Sequence, residues 1–114
     1  MPSDAFSGCR SLTDVDISGA AALTRIGRGA FMDCGSLTYV TLPAALTSIG
    51  DWAFAGCTSL ALTSLPDGLT SIGEFAFCDC ASLALTSLPV RGGEARGEGK
   101  FLPKKSRASI RNRW

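Results

Sequence analysis

One motif that recurs four times limits what this chain can fold into. The motif Ala-Phe-x-x-Cys-x-Ser-Leu begins at Ala5, Ala30, Ala53 and Ala76, and its phenylalanines are 25, 23 and 23 residues apart. A period of about 20 to 29 residues built on leucine is typical of a solenoid, in which each coil buries its apolar side chains only against its neighbours. The motif therefore predicts a stacked array.

Each coil divides into three short pieces, most clearly from Leu46 to Pro66. The piece Leu46 to Ile49 is too short for anything but a strand-like rung, and we expect Gly50 to supply the backbone freedom for a bend. Asp51 suits the N-cap of one helical turn, which Gly56 can end. The third piece is a second strand.

The second strand shows the alternation of a half-buried β-strand. Val40 lies between Tyr39 and Thr41, and a period of two sends Val40 to the core and its two neighbours outward. The first coil has Asp14 and Asp16 at the same outward positions. Stacked coils would pair these strands in parallel, about 4.8 Å per coil, with the outward side chains on the concave surface.

The third and fourth coils depart from this alternation. Thr63 and Thr86 stand where the second coil has Val40, so strict register would bury two hydroxyls and expose Leu62 and Leu85. A buried unpaired hydroxyl costs about 1 to 3 kcal/mol, and an exposed leucine forfeits about 1.5 to 3 kcal/mol more. We therefore expect a local slip or bulge that turns the leucines inward.

The pattern Leu-x-x-Leu-x-Leu, joined to Ile-Gly-x-x-Ala-Phe-x-x-Cys-x-Ser-Leu, resembles the BspA-like leucine-rich repeat family over residues 5 to 89. The resemblance implies a leucine-rich repeat solenoid, an α/β fold of mostly short parallel strands with single helical turns. About three and a half coils of about 23 residues fit the chain. The resemblance also implies a surface or adhesion protein that binds other proteins, and it implies no enzymatic activity.

The expected function is a protein-interaction module that binds a protein partner on the outward face of the strands. Tyr39 is the residue there with the aromatic character typical of interface anchors. The predicted contact residues are Asp14, Asp16, Tyr39, Thr41, Leu62, Ser64, Leu85 and Ser87.

Charge divides the chain into two parts. Residues 1 to 89 carry a net charge of −5 and residues 90 to 114 carry +6. We predict a solenoid over residues 1 to 89 and a disordered, glycine-rich basic tail over residues 90 to 114. Basic runs also neutralise phosphates, so nucleic-acid association through the tail is the alternative function.

The ends of the array show no polar cap. Leu83, Leu85 and Leu88 have no following coil in the sequence to cover them, and exposed apolar edges pair with other chains. We expect end-to-end self-association, or a fragment of a longer surface or adhesion protein with no independent role.

The residue content argues against catalysis and against a metal or cofactor site. The chain has no histidine, which removes histidine-dependent catalysis and imidazole ligation. Four of its five cysteines recur at equivalent positions, and we interpret them as a column of buried thiols that act as small apolar fillers. Cys78 lies beside that column and is a candidate free thiol. We predict no catalytic, cofactor-binding or metal-binding residue.

The sequence carries neither a basic start followed by an apolar segment nor an uncharged apolar run of about 18 residues. A cytoplasmic location follows for the chain as given, although the resembled family is often at the cell surface.

Overall fold

The structure is a computed structural model that describes residues 1–61 and 65–83. The elements described are five strands of two or three residues each. They are β1 (Asp14–Asp16), β2 (Arg25–Ile26), β3 (Tyr39–Thr41), β4 (Ser48–Ile49) and β5 (Ser71–Ile72). Among these residues no helix is long and apolar enough to cross a membrane.

The strands form two parallel ladders that run along the stack. β1 pairs with β3, and β2, β4 and β5 pair in that order. Val15 lies opposite Val40, and Ile26, Ile49 and Ile72 follow one another across the other ladder. Equivalent positions of successive coils therefore meet, which confirms the parallel stacking predicted from the repeat. Each of the two strand pieces of a coil makes a ladder of its own.

The core consists of columns of equivalent side chains. Phe31, Phe54 and Phe77 are fully buried, and their rings stack with centroids 5.2 and 5.4 Å apart. Such ring pairs add about 0.5 to 1.5 kcal/mol to the burial of their area. Aliphatic side chains from both ladders and from the loops surround the rings: Ile26, Leu37, Val40, Leu46, Ile49, Leu60, Leu65, Leu69, Ile72 and Leu83.

The expected exposure of Leu83 at the end of the array is wrong. Its side chain is fully buried and belongs to the same core as the equivalent Leu37 and Leu60. Leu85 and Leu88 lie outside the described residues.

The segment expected to form a helical turn folds instead as consecutive turns. The N–H of Ala53 donates to the carbonyl three residues before it, whereas the N–H of Phe54 donates to the carbonyl of Ala76 in the next coil, at 2.7 Å. This alternation requires left-handed backbone at Trp52 (φ 61°) and Gly56 (φ 77°). In a helix the N–H groups would donate to carbonyls of the same coil. In these turns every second N–H donates to a carbonyl of the neighbouring coil.

Gly50 has a role different from the predicted bend. A Cβ at this position would lie 2.7 Å from the backbone nitrogen of Arg28 and 2.8 Å from the carbonyl carbon of Gly27. Glycine is therefore needed because two coils touch through their backbones here, and Gly27 and Gly73 occupy equivalent close contacts.

Candidate functional site

The outward face of β1 and β3 carries the predicted contact residues of the first two coils. The register sets Asp14 beside Tyr39 and Asp16 beside Thr41. Both aspartates are exposed and Thr41 is half-buried, while Tyr39 is 55% exposed. Carboxylates and a phenol ring therefore lie side by side on adjacent strands, and neighbouring strands are about 4.8 Å apart.

Asp16 is held in place at the end of β1. The hydroxyl of Ser18 donates to Oδ1 at 2.6 Å and the backbone N–H of Ser18 donates to the same oxygen at 3.0 Å. These two hydrogen bonds, the hydroxyl first, lower the pKa of the Asp16 carboxyl below its ordinary value. The carboxylate is thus a fixed negative charge on this face.

The other predicted contact residues, Leu62, Ser64, Leu85 and Ser87, lie outside the described residues. The third coil is bonded to the second just before β3, where the N–H of Ala61 donates to the carbonyl of Thr38 at 3.0 Å. The strand register beyond this point stays a prediction.

The cysteine column is built as the repeat predicted. Cys34, Cys57 and Cys80 are fully buried, and all five thiols are free. Each buried thiol also donates a hydrogen bond to the phenylalanine carbonyl of the preceding coil: Cys34 to Phe6 at 3.2 Å, Cys57 to Phe31 and Cys80 to Phe54, both at 3.0 Å. Sequence reasoning treated these residues only as fillers. The fixed spacing of three between Phe and Cys, repeated in every coil, is the signal that could have indicated the bond.

Four of the thiols have a raised pKa. Burial, the largest cause, raises the pKa of Cys57 to about 12 and raises the pKa of Cys34 and Cys80 as well. Cys78 is half-buried, and burial together with the carboxylate of Asp79 raises its pKa. Because the thiolate is the nucleophile, all four are poor nucleophiles at neutral pH.

The described residues contain no cluster of metal-ligating side chains. Within residues 1–61 and 65–83, no three side chains of cysteine, aspartate or glutamate lie together in a way that could hold a metal ion.

Sequence reasoning missed a cleft on the turn side of the coils, the side formed by the consecutive turns around Trp52 and its equivalents. Its volume is about 560 Å³, and its lining residues are Ser3, Asp4, Arg28, Gly29, Met32 and Trp52. Asp4, Gly29 and Trp52 each lie two residues before the phenylalanine of their own coil. Aligning the coils on that phenylalanine brings these three residues into one column, and this alignment could have revealed the cleft.

Comparison with protein families identifies the repeat. The family model described as "BspA type Leucine rich repeat region (6 copies)" matches residues 1–93. No curated protein matches the chain.

Two solved structures share the fold. A leucine-rich repeat protein from Bacteroides ovatus is 33% identical, with a TM-score of 0.64 over 75% of this chain. A leucine-rich repeat protein of T. pallidum is 30% identical, with a TM-score of 0.55 over 77% of this chain. The chain spans 21% of the first structure and 50% of the second.

Proposed function

Because the chain belongs to the BspA-type leucine-rich repeat family, we propose that it is a protein-interaction module whose partner binds the outward face of β1 and β3. The family supports an interaction or repeat-module role. The proposed location of the binding surface rests on the arrangement of Asp14, Asp16, Tyr39 and Thr41.

The exposure of Tyr39 carries this proposal. Tyr39 is 55% exposed, the largest exposure of a large hydrophobic residue among those described, and the adjacent Val40 is 2% exposed. Val40 anchors the strand in the core, so the ring is presented from a fixed backbone. Tyrosine is enriched among residues that dominate binding energy, and a fixed presentation reduces the entropy lost on binding.

The charges beside Tyr39 indicate what the partner offers. Asp14 lies next to the ring in the register of the two strands, and Asp16 follows two residues later. A partner with an apolar pocket for the ring and basic side chains around it would complement this face. Such charges increase the association rate and select among partners more than they raise affinity.

A photo-crosslinking amino acid at position 39 of the full-length chain would identify the partner. Binding of that partner is then compared between the unaltered chain, Tyr39→Ala and Tyr39→Phe. We expect Tyr39→Ala to weaken binding at least about tenfold, as for an interface anchor, and Tyr39→Phe to keep most of the affinity. Unchanged binding by Tyr39→Ala would refute the proposed face.

Two controls accompany this comparison. Asp67→Asn changes an exposed residue away from β1 and β3 and should leave binding unchanged. Deletion of residues 90 to 114 should also leave it unchanged, with circular dichroism to show that the fold persists. Loss of binding on deletion, with a steep dependence on salt, would instead support nucleic-acid association through the tail.

A further inference from the structure

An aromatic stack on the turn side of the coils stops at a glycine. The rings of Trp52 and Phe75 lie face to face, with centroids 4.6 Å apart and planes 25° apart. Both residues have left-handed backbone, two positions before the phenylalanine of their coil. The equivalent residue of the preceding coil is Gly29, which has the same left-handed backbone (φ 62°) but no side chain.

The missing side chain leaves one face of Trp52 open to the cleft. Phe75 belongs to the coil after Trp52 and is not among the residues that line the cleft, whereas Gly29 belongs to the coil before. Trp52 remains 36% exposed. A ring stacked on its open face, at the centroid distance of about 4.5 to 7 Å typical of aromatic pairs, would lie over Gly29.

Asp4 lies on the opposite side of this gap. It occupies the equivalent position in the first coil, one coil beyond Gly29, so it is two coil spacings, or about 10 Å, from Trp52 along the stack. Its carboxylate lies close to Gly29, on the position that a Cβ would take. An acceptor therefore faces the space where the edge of an inserted ring would be.

We propose that this cleft binds an aromatic side chain, tyrosine or tryptophan, from a partner polypeptide with basic residues beside it. The ring stacks on Trp52, and its O–H or N–H donates to the carboxylate of Asp4. The thioether of Met32, which also lines the cleft, is the kind of group that contacts ring edges favourably. This site is separate from the face of β1 and β3 and does not depend on the proposed function.

Charge complementarity favours basic residues on the partner. The solenoid part, residues 1 to 89, carries a net charge of −5, so a cationic peptide is attracted to it. Arg28 is the one basic side chain that lines the cleft. Its guanidinium suits a backbone carbonyl of the bound peptide, since it is a donor only.

The test uses short capped peptides and the full-length chain. Ac-Lys-Tyr-Lys-NH₂ is titrated into ¹⁵N-labelled protein, with Ac-Lys-Leu-Lys-NH₂ as a control of equal charge. We expect the tyrosine peptide to cause saturable chemical shift changes at the Gly29 amide and the Trp52 indole N–H. Equal binding of both peptides, or shifts that avoid these two groups, would overturn the proposal.

Two glycine variants form a matched pair. Gly29→Asn adds a side chain where the carboxylate of Asp4 lies, using a residue that tolerates left-handed backbone, and Gly8→Asn makes the same change where an added Cβ would meet nothing within 4 Å. Gly29→Asn should weaken binding of the tyrosine peptide about two- to tenfold, which is the value of one aromatic stack, and Gly8→Asn should leave its affinity unchanged. Equal affinities of the two variants would contradict the site.

The chain's own last residue, Trp114, is the competing occupant. The Trp114→Ala variant of the full-length chain should bind the tyrosine peptide as the unaltered chain does. If only Trp114→Ala bound the peptide, the cleft would be filled by this chain itself, in the same or a second copy, and the assignment to a partner polypeptide would be wrong.

Discussion

The first and second coils have the same motif but very different environments. In the first coil, Phe6 is 43% exposed, and in the second, Phe31 is fully buried. The half-buried Cys9 and Val15 likewise correspond to Cys34 and Val40, which are buried. The rings of Phe6 and Phe31 are nonetheless stacked, 5.4 Å apart.

The difference shows that the first coil does not bury its own core. The second coil has a neighbour on each side, and in the described part of the chain the first coil has one. Burial at the other end of this part is different: Phe77 and Leu83 of the fourth coil are fully buried. Identical side chains therefore contribute differently to stability according to their place in the stack, as expected when a repeat array is a sum of nearest-neighbour contacts.

The largest expected effect compares Phe31→Ala with Phe6→Ala. Deletion of a fully buried ring costs about 3 to 5 kcal/mol of the free energy of unfolding, while the exposed Phe6 ring should cost about 1 to 2 kcal/mol because less of its area is buried. Urea denaturation followed by circular dichroism measures both. Equal costs would mean that the two coils have equivalent environments.

Backbone contact between inner coils gives the next effect. Gly50→Ala places a Cβ 2.7 Å from the backbone nitrogen of Arg28, and the forced shift should cost about 1 to 3 kcal/mol. Gly19→Ala is the matched control, since its Cβ would meet nothing within 4 Å, and it should change stability by less than about 0.5 kcal/mol. Thermal melts of both variants check the difference, which would vanish if the coils did not touch at Gly50.

Alkaline pH should weaken the interior through its thiols. The pKa of Cys57 is about 12 in the fold against an ordinary value of 9.0, so its contribution to stability is complete below pH 9 and is lost as the pH rises towards 12. The loss is about 1.4 kcal/mol per pH unit. Denaturation at pH 8 and pH 10 should therefore show a steeper decline for the unaltered chain than for Cys57→Ala. Parallel declines would contradict a buried, protonated thiol.

The smallest effect concerns a column of threonines on the loops. The hydroxyl of Thr47 donates to the carbonyl of Thr24 at 3.1 Å, and that of Thr70 donates to the carbonyl of Thr47 at 3.0 Å. Thr47→Val should cost about 0.5 to 1 kcal/mol. Thr24 starts the column and makes no such bond, so Thr24→Val should be neutral within about 0.5 kcal/mol. If calorimetry gave Thr24→Val the larger loss of stability, the hydroxyl hydrogen bonds of this column would not be what stabilises it.

Much of the fold was predictable because the repeat itself encodes it. The Phe and Cys spacing predicted the stacked columns, and the alternation around Val40 predicted which side of β3 faces the core. Both signals depend only on distances along the chain, which a sequence displays directly.

The turns and the cleft were not predictable in the same way. Trp52 and Phe75 have left-handed backbone (φ 61° and 59°), which large side chains normally avoid. Hydrogen bonds between coils impose it: the N–H of Trp52 donates to the carbonyl of Glu74 at 3.0 Å. The cleft over Gly29 depends on the same register between coils. These features exist only once the coils are stacked, so the sequence of a single coil does not predict them.

Amide hydrogen exchange on the full-length chain compares the local stability of the first coil with that of the coils inside the stack. We expect the slowest exchange at amides bonded between inner coils, such as Phe31 to Ala53 and Phe54 to Ala76. We expect faster exchange at Phe6, although that amide is bonded to Ala30 in the same way. Equal protection of Phe6, Phe31 and Phe54 would contradict this expectation, because the exposed first coil would then be as stable as the coils inside the stack.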